Sequence, residues 1–93
     1  MDKITKILME KEYEKSNNLE VIKEFYVQCS SKAYVGWIKK EVLCMLIEKN
    51  NWELHVGTSP FPLVKVVKKG DTLYLKSTPN EHEIDNLLNL PRL

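Results

Sequence analysis

The chain has 93 residues, 43% of them hydrophobic and 29% charged, and its 14 basic and 13 acidic side chains leave a net charge of +1. A single globular domain of this size buries only about two-thirds of its unfolded surface, which disfavours a deep catalytic cleft. Near-neutral charge gives the whole molecule no pull toward nucleic acid or membrane, so only local patches could supply one.

The segment Lys3 to Met9, "KITKILM", has the β-branched and apolar content of a strand, although Ile4 and Leu8 sit on a different register from Ile7. Ser16, Asn17 and Asn18 then form turns through bonds to their own backbone, and the spacing predicts a hairpin into a second strand, Leu19 to Gln28. In that strand Leu19, Val21, Phe25 and Val27 alternate with polar residues, as a half-buried strand requires. From Ile38 to Lys49 the period changes to that of a helix. Ile38, Val42, Met45 and Leu46 make its stripe, Leu43, Cys44 and Ile47 widen it, and the asparagines after Lys49 stop it.

Trp52, Leu54 and Val56 alternate as a third strand, which Pro60 and Pro62 end because neither can donate to a ladder. "LVKVVKKGDTLYLKS" reads as a hairpin turning at Gly70-Asp71. The predicted order is β-β-α-β-β-β in one domain, residues 1–93. This is an α+β fold with a mainly antiparallel sheet and one packed helix.

The remaining stretch offers Thr78 as a helix cap and Pro79 as a first helical residue. One or two helical turns would present Ile84, Leu87 and Leu88 together, followed by Leu90 before Pro91. Burying such side chains contributes about 1.5–3 kcal/mol each, so the tail is expected to fold back and close the core. Asn86, polar within a leucine tail, is expected to fix its path by hydrogen bonding.

"YLKSTPNEHEIDNLLNLPRL" resembles the ending of a family of small bacterial domains of unknown function, whose members close with Tyr-Leu-Arg-Ser/Thr, Pro-Asp, Asn-Leu and Leu-Pro. Tyr74, Leu75, Ser77, Pro79, Asn86, Leu87, Leu90 and Pro91 match the pattern, while Lys76 replaces the usual arginine and Asn80 the usual aspartate. The resemblance implies small size and a bacterial or phage source. It brings no established activity.

No constellation of acid, base and nucleophile is legible, and no cofactor or metal is implied. His55 falls on the polar phase of a strand, His82 in an acidic patch, and Ser30 and Ser31 read as loop. Gly36, Gly57 and Gly70 are isolated, so there is no phosphate-binding loop. Cys29 and Cys44 lack metal-site spacing and are expected to be reduced, partly buried thiols. No apolar run approaches the roughly 20 residues of a membrane span, and "MDKITKILMEKEYEK" is too charged for a signal peptide; a cytoplasmic location is expected.

The expected role is a non-enzymatic binding or interaction module, a bacterial or phage accessory or inhibitor protein contacting another protein or a second copy of itself. Trp37 and Trp52 would be core plugs or, if exposed, contact residues. The alternative is a binder of nucleotides or single-stranded nucleic acid, using Lys65, Lys68, Lys69 and Lys76 beside Tyr74 on the predicted hairpin. Lysines also protect exposed strand edges from aggregation, which is the plainer reading of the same residues.

Overall fold

The computed structural model describes residues 1–30, 35–78 and 84–93. Six strands and one helix follow in the order β1 (Asp2–Met9), β2 (Ile22–Gln28), β3 (Val35–Lys39), α1 (Lys40–Asn50), β4 (Leu54–Val56), β5 (Leu63–Lys69) and β6 (Thr72–Thr78). The strands form one sheet in the order β3-β2-β1-β4-β5-β6, antiparallel except between β1 and β4. The α+β class is as expected, but β3 precedes the helix where the sequence predicts none. Ile38 therefore lies within a strand rather than beginning a helix, and α1 starts at Lys40. The second strand is also shorter than expected: Leu19–Val21 is a 3-10 turn, with the Asn18 side chain accepting the Glu20 N–H.

All the core strands turn one face toward the helix. Ile4 and Ile7 are three apart yet both fully buried, because Thr5 is an extra residue between the pairs Ile4–Val27 and Lys6–Tyr26. A second irregularity between Leu8 and Met9 brings Met9 opposite Ile22, so the inward phase continues through Ile22, Phe25 and Val27. Leu54, Val56, Val64 and Leu75 extend the same core across the other strands.

The helix contributes Leu43 and Cys44 to this core, both fully buried, with Ile47 packed against it. That is a different sector from the predicted stripe, since Val42 and Met45 are 42% and 44% exposed. Lys40 is buried instead, its amine donating to the Glu20 carbonyl at 2.9 Å. Asn51 stops the helix as expected, in the left-handed conformation with its N–H on the Ile47 carbonyl. Gly70 supplies the positive φ of the two-residue turn that joins β5 to β6.

The tail closes the core, with one correction. Leu87, Leu88 and Leu90 are buried, but Ile84 is 36% exposed and does not join them. The helical turn is a short 3-10 segment, Asn86–Asn89, capped by Asp85 and not by Thr78, which ends β6. Pro79 lies outside the described residues. Beyond the turn the tail runs alongside β1: the Ile7 N–H donates to the Pro91 carbonyl, and the Leu93 N–H to the Ile7 carbonyl. The tail thus takes up the edge of β1 that β4, paired only with Asp2–Ile4, leaves free.

Candidate functional site

The outward sector of α1 and the edge strand β3 meet in an apolar groove of about 400 Å³, lined by Trp37, Ile38, Lys39, Val42, Leu46 and Trp52. Each wall has a local cause. Lys39 is the extended residue at which the strand becomes helix, so Ile38 and Val42 lie within a few residues of each other across that corner. Trp52 follows the helix stop, and its indole N–H donates to the Asp2 carboxylate at 2.7 Å, which fixes the ring while leaving its apolar surface to the groove. Asp2 also accepts the Ser30 N–H at 2.9 Å. The indole bond, then the Ser30 bond, hold its carboxyl below the usual value.

The two tryptophans expected to be core plugs or contact residues are thus brought to one groove, each partly exposed. On the helix, Val42 and Met45 are 42% and 44% exposed, so the apolar wall of α1 is open to solvent. β3 pairs only with β2 among the described strands, whereas at the opposite edge the Ser77 N–H of β6 is taken by Asp85.

The lysines of the hairpin separate. Lys65 and Lys76 stand directly opposite each other and both are exposed, but Lys69 pairs with Glu20 at 3.3 Å, and Lys68 stands opposite Leu73 on the other phase of the hairpin. Tyr74, opposite Val67, shares the phase of Lys65 and Lys76, and it also lines a polar cleft of about 480 Å³ with Lys69, Glu20, Asn17, Asn18 and Asp85.

Asn86 has the structural part expected of it, donating to the Ser77 hydroxyl at 3.1 Å. Two further residues fix the tail and carry no sequence signal. Buried Asp85 accepts the Ser77 N–H at 3.0 Å, the Ser77 hydroxyl at 2.8 Å and the Leu87 N–H at 2.9 Å. The Arg92 guanidinium donates to the carbonyls of Glu14, Ser16 and Leu88, clamping the tail onto the loop between β1 and β2.

His55 bridges the Phe61 carbonyl and the Glu53 carboxylate, at 2.8 and 3.1 Å. His82 and Ser31 lie outside the described residues, and Ser30 bonds Asp2 and the N-terminal amine. Both cysteines are free thiols; burial pushes Cys44 up to about 11 and raises Cys29 as well. Among the described residues no helix is long and apolar enough to cross a membrane.

These features define a small α+β domain in which one helix and a folded-back tail share one face of a six-stranded sheet, with an apolar groove where helix and sheet edge meet. A model of a family described as proteins of unknown function (DUF3892) matches residues 3–91, and the chain belongs to that family. No curated protein and no solved structure matches it.

Proposed function

We propose that the protein is a non-enzymatic interaction module whose working surface is the groove between β3 and α1, and that the occupant of this surface is a second copy of the chain. The observation that carries the reading is the outward sector of α1: Val42, Met45 and Leu46 are apolar where a solvated helix would be polar. A strand edge is self-complementary across a two-fold axis, so β3 of one copy can run antiparallel to β3 of the other. Its sequence, Val35-Gly36-Trp37-Ile38-Lys39, has no proline, and its charge comes only at the end. Such pairing would draw both grooves toward the axis and cover their apolar walls.

A bacterial or phage accessory or inhibitor role, exerted through protein contact from the cytoplasm, belongs to the same proposal. Sedimentation at micromolar concentration tests the core of it. The expected result is a species of twice the 10.9 kDa chain mass, returned to a monomer by Val42→Glu, a substitution at an exposed position that the fold tolerates. A wild-type chain that is strictly monomeric up to about 100 μM, a weak limit on the usual affinity scale, refutes the second copy as occupant.

A further inference from the structure

The sheet face opposite the helix carries its own pattern, which meets the groove at Trp37 on the edge strand. Strand register assigns Lys3, Lys6, Tyr26, Trp37, His55, Lys65 and Lys76 to this outward phase. The residues on it are partly or fully exposed, while every core side chain of the strands belongs to the other phase.

Lysines and aromatic rings alternate across it. The Lys6 amine lies 4.7 Å from the centre of the Tyr26 ring, and Tyr26 meets Trp37 edge to face at 5.2 Å. The Lys3 amine lies 5.6 Å from the ring of Phe61, which is 37% exposed. Phe61 holds a left-handed φ of 57°, uncommon for a bulky residue, with its N–H on the Thr58 carbonyl and its own carbonyl bonded to His55. The backbone is thus bent, at a cost, where this ring is set beside Lys3.

The charges are unbalanced in register. Glu24 stands opposite Lys39, and Glu53 is bonded to His55. Lys3 stands opposite Gln28 and His55, Lys6 opposite Tyr26, and Lys65 opposite Lys76, so none of these four faces a carboxylate on a neighbouring strand. Like charges directly opposite in a sheet are unfavourable, and an anion laid between them removes that repulsion.

We infer that this open face is a binding platform for single-stranded nucleic acid, with Lys3, Lys6, Lys65 and Lys76 taking phosphates and Tyr26, Trp37 and Phe61 offering ring faces to bases. Strand spacing separates β1 from β5 and β6 by roughly 10–14 Å, a span that a backbone must cross in extended form. A duplex keeps its bases stacked inside and cannot use the rings, so a single strand is the form selected. The four lysines, Tyr26 and Phe61 lie outside the groove, and Trp37 is the one residue this site shares with the pairing proposed there.

The test is fluorescence anisotropy with labelled homopyrimidine oligonucleotides of about 12 residues, as DNA and as RNA, against a duplex of equal length and polyglutamate. Single strands should bind between about 50 and 200 mM salt, with an affinity falling by the second to third power of the salt concentration. Lys65→Gln with Lys76→Gln, both at exposed positions, should lower that power by roughly one to one and a half. Tyr26→Leu should weaken binding at least fivefold with the salt dependence unchanged. No binding by the folded wild-type chain at low salt overturns the inference. So does equal binding of the duplex or of polyglutamate, which would make the face a general anion surface, and so does an unaltered salt dependence in the lysine variant.

Discussion

Leu87 and Ile84 stand three residues apart in the same tail, and their different burial makes an internal control for the claim that the tail completes the core. Leu87 is fully buried and Ile84 is 36% exposed. Replacing a fully buried leucine by alanine costs about 2–5 kcal/mol, the larger values applying where surroundings cannot collapse into the space. Leu87 follows a cap in which Asp85 accepts its N–H, so the backbone there is held and little collapse is expected. A chain of this length has a total stability of about 5–14 kcal/mol, so Leu87→Ala removes a large fraction of it. Ile84→Ala should cost less than about 1 kcal/mol, as exposed substitutions do.

Urea unfolding followed by tryptophan fluorescence and far-ultraviolet circular dichroism reads both. At a loss of about 3 kcal/mol the Leu87→Ala midpoint falls by roughly 1–3 M with unchanged slope, while the Ile84→Ala midpoint stays near that of wild type. Equal effects of the two substitutions, or a loss under about 1 kcal/mol for Leu87→Ala, would refute the tail as part of the core and make it a detachable peptide.

Two further outcomes follow from particular contacts. Trp52 and Ser30 bond the ionised form of Asp2, so folding lowers its pKa below the ordinary 3.8; that stabilisation is complete well above this value and is lost as pH falls through the lower folded value. Asp2→Asn should therefore narrow the loss of thermal stability between about pH 5 and pH 3, and an acid profile identical to wild type would contradict the bonding. A methyl group added at Gly57 would lie 2.8 Å from the Thr5 methyl and 3.1 Å from the Ile4 carbonyl oxygen, so Gly57→Ala should destabilise by about 1–3 kcal/mol, measured by the same urea transition; a neutral result would mean that β1 and β4 are less closely apposed.

Where the sequence pattern was followed by one buried face per element, the fold was legible: the Gly70-Asp71 hairpin, the helix stop at Asn51 and the leucines of the tail all stand where the residues place them. β3 was not, because an edge strand with Val35 exposed, a glycine next and only Ile38 of its middle residues packed on the core has no clean alternation. The helix was legible as a helix but not in its orientation. Val42, Met45 and Leu46 form one apolar sector and Leu43, Cys44 and Ile47 its neighbour, and periodicity alone cannot say which of two adjacent apolar sectors faces inward.

The groove was hidden for the same reason, although Trp37 and Trp52 marked it. Lys3, Lys6 and Phe61 were not legible as site residues, since only strand order brings them onto one face. Asp85 and Arg92 acquire their roles through partners elsewhere, Ser77 for one and the Glu14–Ser16 loop for the other, and no local spacing announces a contact of that kind.

The position of β1 has a consequence for how the chain reaches its fold. This first strand is satisfied on one side by β2, close in sequence, but on the other by β4 and by Pro91 to Leu93. During synthesis the β1-β2 hairpin is therefore available early, yet one side of its central strand stays open until residues through Leu93 have left the ribosome. Closure of so long a loop carries its entropic cost before its contacts form, which slows the final step relative to a helical domain of equal size. Until then the edge of β1 that Pro91 to Leu93 later pair stays open, and an unpaired strand edge of this kind is where aggregation of a partly folded chain begins.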